Sequence, residues 1–443
     1  MQPNPAFWFD PNTHKKLWQL AWPMMLSNLT VPLLGLVDTA VIGHLDYPWY
    51  LGGLAVASSI FMFLYFSFNF LRMGTTGFAA QSYGQKDYLA LKLLLTRASC
   101  LALALGVMLS LLSPWLLPVA TRLIGGSPEV QEAALQYSQI RILSAPFALL
   151  NFVIIGWLIG VHRTQGPLII LTATNLINVV LDILLVVIWP LGIQGVAIAT
   201  IVADISGSLL GLYLVLKQLQ QWSAPKLILL QIINWPAIRS LLSVNGDIFF
   251  RSLALLSAFA FFTAQGAKIS DQVLAANAVL ISFLLIIASA LDGFANAAEA
   301  MAGQALGQTN RTQLQEAVAV SGLWTAIFAL FLSGIFYFFG DAIISLLTDI
   351  ETVRLTANHY LVWIIVLPLL ACWCFWLDGV FIGITQTRTM RNTMLIALIF
   401  IFYPLWFFSQ GWGNNGLWLA MNGFMLSRGI LLGGCYLKWS KGF

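Results

Sequence analysis

Apolar residues run through this chain in long stretches, each ended by a short group of Gly, Pro, charged or amide residues. A helix needs ~20 mostly apolar residues to cross a bilayer, and most of these stretches reach that length. Read with those breaks, the pattern predicts spans over residues 17–44, 51–84, 92–117, 138–161, 167–189 and 193–216. A polar connector follows over 217–239, and six further spans over 241–266, 273–305, 316–340, 358–384, 392–410 and 417–437. The expected fold class is an all-α integral membrane protein with twelve transmembrane helices. Its expected division is an N-terminal lobe (1–216), a cytoplasmic connector (217–240) and a C-terminal lobe (241–443), with no connector long enough to fold as a domain.

Composition sharpens this picture. Of 443 residues, 59% are hydrophobic and 9% charged, against roughly 25% charged in soluble domains. A soluble globular protein is excluded, and no length remains for an extramembrane catalytic domain. Placing the first residues inside puts fourteen Lys and Arg in inner loops and only Arg122, Lys268 and Arg354 in outer ones. Cytoplasmic loops are enriched in these residues, so both termini and the connector are expected on the cytoplasmic side of the inner (plasma) membrane. His14, Lys15 and Lys16 precede the first apolar stretch without a small-residue cleavage site, so that helix is expected to be retained. Cys100, Cys372, Cys374 and Cys435 lie in apolar runs without metal-ligand spacing and read as packing residues.

An internal repeat is legible as well. The segment from Phe78 to Gln85, FAAQSYGQ, matches MAGQALGQ from Met301 to Gln308, with Gln81 and Gln304 separated by 223 positions. Gly156-x-x-x-Gly160 and Gly379-x-x-x-Gly383 are separated by the same 223, Pro146 and Pro368 by 222, and Gly195-x-x-x-Ala199 and Gly416-x-x-x-Ala420 by 221. Small-residue motifs are generic helix-packing chemistry when taken singly. Four pairs in one order at a nearly constant shift predict two halves of six spans in the same orientation, the arrangement of an alternating-access transporter.

Ionisable residues within these spans are the candidate chemistry, because charge in hydrocarbon is costly and marks function by default. Asp38 lies in the apolar run over 31–44, with Pro32 and Gly35 within two turns before it, where they weaken the helix ladder and form a candidate hinge. The plainer alternative is an acid tied to Thr39. Asn175, Asn178 and Asp182 share one face of the fifth span, and Thr200 and Asp204 form an i, i+4 stripe in the sixth. Two nearby carboxylates in a low dielectric do not both ionise cheaply, so if Asp38 and Asp182 approach each other one of them is expected to hold a proton, with Asn175, Asn178, Thr200 and Asp204 as the proton or cation site around them. An Asp182 satisfied locally by Asn178, and an Asp204 that lines a cavity without binding protons, are the structural alternatives. In the second half, Asp292, Glu299 and Asp378 are candidates for a C-lobe cavity, with Asp378 the leading one for a second cation. Asp247 and Arg251, at i and i+4, are expected to neutralise each other.

Enzyme signatures are absent. The sequence has no phosphate-binding Gly-x-x-x-x-Gly-Lys loop, no His-Glu-x-x-His and no Gly-x-Ser-x-Gly, so energy is expected from an ion gradient. The stretch PxxxxNxxxPxxGLVDTAVIGHL beginning at Pro23, the repeated Gln-x-x-Gly-Gln, and NxxNxxxD from Asn175 to Asp182 together resemble the multidrug and toxic compound extrusion (MATE) transporters, in the branch containing DNA-damage-inducible protein F. That resemblance implies two six-helix bundles around a V-shaped cavity, and export of organic cations and other amphipathic compounds in exchange for protons or sodium. It implies that Asp38 is the protonation site, with Asn178, Asp182 and Thr200 as neighbours, and that its protonation bends the first helix. A glutamate carried in the seventh helix by sodium-coupled relatives has no counterpart here, which favours H+ over Na+ as the coupling ion. No cofactor, metal or nucleic acid is expected, and a monomer in the lipid bilayer suffices. The alternatives are a sodium-coupled antiporter of the same family, or a lipid-linked sugar flippase of the wider superfamily, for which a basic cavity is expected.

Overall fold

The computed structural model describes residues 10–42, 48–225 and 229–442, with side chains except at 29, 31–42, 48, 229 and 230. Long helices account for nearly all of it: α1 (Pro11–Ile42), α2 (Trp49–Gly84), α3 (Tyr88–Ile124), α4 (Pro128–Gly160), α5 (Gln165–Ile188) and α6 (Gly192–Gln221). The second half holds α7 (Trp235–Ile269), α8 (Asp271–Gly307), α9 (Arg311–Leu347), α10 (Glu351–Gly383), α11 (Thr387–Trp412) and α12 (Asn414–Gly442). Among the described residues, ten of these are long and apolar enough to cross a membrane. With α1 (32 residues) and α12 (29 residues) the described residues form the expected twelve helices of membrane-spanning length.

Several helices overrun the predicted spans. Hydropathy marks the part of a helix immersed in lipid, whereas its end is set by capping. Thus α4 begins at Pro128, where the Ser127 hydroxyl accepts from the Val130 N–H at 3.4 Å and proline occupies the first turn, a position where its missing N–H costs nothing.

The repeat governs packing in three dimensions. Gly156 and Gly160 of α4 lie against the carbonyl oxygens of Arg72 and Thr76 on α2, too close for any Cβ. In the same register, Gly379 and Gly383 of α10 lie against the carbonyl oxygens of Ala295 and Glu299 on α8. The Gln-x-x-Gly-Gln motif proves to be a helix stop. Gln85 N–H donates to the Gln81 carbonyl at 3.0 Å and Asp87 N–H to the Ser82 carbonyl at 3.0 Å, while Gln308 donates to Gln304 and Asn310 to Ala305, each at 3.0 Å. Between stop and start sit Lys86 (φ 58°) and Thr309 (φ 52°), both in the left-handed region. Asp87 then caps α3 by accepting from Ala90 N–H at 2.8 Å, and Asn310 caps α9 by accepting from Gln313 N–H at 3.0 Å.

A non-glycine residue held left-handed costs roughly 1–2 kcal/mol, and a β-branched one is a true outlier. Thr309→Gly is therefore expected to raise stability by about 1 kcal/mol, read as a higher unfolding temperature in detergent; an unchanged or lower midpoint would count against this strain.

Contacts divide the chain into two compact units, Leu26–Asn245 and Met1–Met25 with Gly246–Phe443. In the first, Arg97 Nε donates to the Ile232 carbonyl at 2.9 Å and Lys92 Nζ to the Pro225 carbonyl at 3.1 Å, fastening the stretch after α6 to α3. Gly74 of α2 admits Val244 and Asn245 from the start of α7. In the second unit the start of α1 packs on α8 and α9. Lys16 Nζ donates to Gln304 Oε1 at 2.6 Å, the Trp324 indole N–H to His14 Nδ1 at 2.8 Å, and the Thr13 hydroxyl to Glu316 Oε1 at 2.6 Å. Trp18 meets Phe294 and Trp324 edge to face. Ahead of this helix, the Asn12 N–H and the Thr13 hydroxyl hold the Asp10 carboxyl below the usual carboxylate range.

Candidate ion and substrate site

The N-terminal unit carries the polar face expected on α5. Thr174, Asn178 and Asp182, spaced at i, i+4 and i+8, are buried, Asp182 completely, and Asn175 is half-buried beside them. Asn175 Nδ2 donates to the Thr30 carbonyl of α1 at 3.1 Å. Asn178 Nδ2 reaches the Thr200 hydroxyl of α6 at 3.4 Å, and that hydroxyl donates to the Val196 carbonyl at 3.0 Å. Directly after Asp182 the backbone widens into π-helical turns over Ile183–Ile188. Such turns interrupt the regular ladder and recur at functional sites. α5 thus brings a carboxylate and amides to one buried surface facing α6 and the middle of α1. Asp38 and the hinge candidates Pro32 and Gly35 lie outside the residues with described side chains.

Asp204 lies one turn beyond Thr200. Its carboxyl has Ser144 and Arg141 of α4 as polar neighbours and Tyr65 of α2 within electrostatic reach. Asn151 donates through Nδ2 to the Asp204 carbonyl at 3.3 Å and so ties α4 to α6.

In the second unit the structure corrects two expectations. Asp247 and Arg251 do not neutralise each other: Asp247 accepts from Arg391 Nη1 at 2.6 Å and from the Thr387 hydroxyl at 3.1 Å, both on α11. Arg251 instead pairs with Asp378 of α10, as does Arg428 of α12, whose Nη2 lies 2.7 Å from the same Oδ2. All three side chains are buried. Asp378 is therefore the shared counter-ion of two guanidiniums, in place of the expected cation site, because its charge is already met by fixed cations. Asp292 is half-buried and acts electrostatically on Arg428, while Glu299 is buried at the α8–α10 contact.

A MatE family profile matches residues 23–184 and 248–408, one copy in each half. The chain belongs to the MatE family. Over 437 residues it is 42% identical to DNA damage-inducible protein F of Escherichia coli (strain K12), a match spanning 98% of this chain and 94% of that protein. It is 26% identical over 266 residues, 56% of each chain, to the probable multidrug resistance protein NorM of Thermotoga maritima. A MATE crystal structure in the straight conformation shares the fold, with TM-score 0.88, 19% identity and 97% of both chains aligned. As a MatE protein the chain is a multi-pass membrane transporter and not an enzyme.

Four positions in this MatE protein escaped sequence reasoning. Thr174 is buried on the α5 face of Asn178 and Asp182, and Gly207 of α6 leaves the room that its hydroxyl fills. The only signal was its spacing, one turn before Asn178. Arg141 and Tyr65 gave none, since a basic residue near a helix start and a tyrosine in an aromatic run each look solvated or lipid-facing.

Proposed function

We propose that this protein is a secondary active multidrug exporter of the inner membrane. In this reading it acts as a monomer with both termini cytoplasmic, and moves cationic or amphipathic organic compounds outward in exchange for protons by alternating access. The observation that carries the reading is Asp182, wholly enclosed beside Asn178 and Thr200 on a face that also reaches α1. A carboxylate in such surroundings is stabilised when it takes a proton or a cation. Asp38 occupies the first-helix position for which the family resemblance implies protonation, and the proposal gives it the primary role, with bending of α1 at Pro32 and Gly35 as the response. Relatives named as a probable multidrug resistance protein and a multidrug export protein support the substrate class. A lipid pyrophosphate flippase is disfavoured, since the two buried arginines of the second unit already share Asp378.

The test is Asp38→Asn. Efflux of a fluorescent organic cation from cells should fall to the level of vector controls, with the variant inserted at normal abundance. Undiminished efflux from that variant would remove the proton role of Asp38.

A further inference from the structure

In the N-terminal unit, the Arg141 guanidinium is held by aromatic rings. Its central carbon lies 4.6 Å from the centroid of Phe61 and 5.6 Å from that of Tyr137. Nη1 donates to the Tyr137 hydroxyl at 2.7 Å. The two rings meet edge to face at 6.4 Å, and Tyr65 stands 5.7 Å from Phe61. Asp204 is the acid within electrostatic reach of Arg141, with Ser144 next to its carboxyl. Phe61 and Tyr137 are buried while Arg141 and Asp204 remain half-buried, so the guanidinium forms part of the cover over rings that would otherwise present their faces.

Two rings against one delocalised cation, with a carboxylate within electrostatic reach, have the makings of an organic-cation receptor, because the ring quadrupole and the carboxylate attract the same charge in a partly desolvated place. A fixed structural ion pair needs no such rings. The arginine stem is long and flexible, and the residue as a whole is only half-buried, so displacement of its head is a rotamer change and does not require α4 to unpack.

We propose that Phe61, Tyr137 and Asp204 form a subsite for aromatic or quaternary organic cations, that Arg141 occupies it when no ligand is bound, and that the ligand binds by displacing the guanidinium. Arg141 is then a tethered competitor that sets the affinity threshold for substrates, favouring those with a diffuse charge and a flat apolar body over small hydrated cations. Asp204 is one turn from Thr200, so a cation seated here changes the field at the Asn178, Thr200 and Asp182 face and links substrate to coupling ion. This inference rests on the export reading in one respect, the class of ligand.

The experiment is equilibrium binding of tetraphenylphosphonium to the purified full-length protein in nanodiscs, at one pH and with no gradient. Arg141→Gln should tighten binding by about fivefold or more, and Asp204→Asn in that background should remove the gain. Phe61→Leu should weaken binding by about fivefold in the wild-type background, which keeps the test available if the Arg141 variant does not insert. Unchanged or weaker binding by an inserted Arg141→Gln, or unchanged binding by Phe61→Leu, overturns the subsite. Because no gradient is imposed, this failure is separable from failure of proton coupling, which is read only in transport.

Discussion

Asp378→Ala is expected to cost about 3–5 kcal/mol of stability, the range for removing one partner of a buried ion pair. The carboxylate is shared by Arg251 of α7 and Arg428 of α12, so its loss strands two buried guanidiniums. Asp292 is the remaining acid acting on Arg428. Repulsion between the arginines should loosen the contact of α10 with both helices. Denaturant or thermal unfolding in detergent would check this, and a loss below about 1 kcal/mol, the scale of an exposed pair, would contradict the burial argument. Replacing all three side chains together with apolar residues of similar volume should recover much of the loss, because the destabilisation comes from uncompensated charge.

Asp182→Asn is expected to abolish gradient-driven export while leaving the bundle assembled. Asparagine matches aspartate in size and keeps hydrogen-bonding capacity towards the Asn178 and Thr200 side of the site, but it binds no proton at any working pH. Vesicle uptake should therefore fall to background under an imposed pH gradient. Unfolding of the variant should stay within about 1 kcal/mol of the parent, as for a volume-conserving change. Full transport by this variant would reduce Asp182 to a packing residue.

The sequence disclosed as much as periodicity and spacing can carry. Long apolar runs located the twelve helices, and a shift of 223 positions linked two motifs whose shared work is visible only in the structure. Gln81 and Gln304 mark helix stops, and Gly156 and Gly379 mark helix crossings. Within one helix, the grouping of Asn175, Asn178 and Asp182 was readable because they follow a helical period. Partners on other helices were not. Asp247 and Arg251 are four residues apart, yet each finds a better-placed opposite charge on a neighbouring helix. Bundle geometry decided that pairing, and no i, i+4 rule encodes it. Arg141 was invisible for the same reason, since its role depends on Phe61 two helices earlier. The assignment of the first residues of α1 to the unit that holds the second half likewise has no counterpart in hydropathy, which registers immersion in lipid and not the neighbour.

The proposal is that carboxylates of the N-terminal unit take up and release protons to drive export. Its most direct measurement is transport of an organic cation in proteoliposomes, with pH and sodium gradients imposed separately. Transport should follow the pH gradient at equal sodium and vanish when that gradient is collapsed. Transport that follows sodium alone, indifferent to the pH gradient, would contradict it.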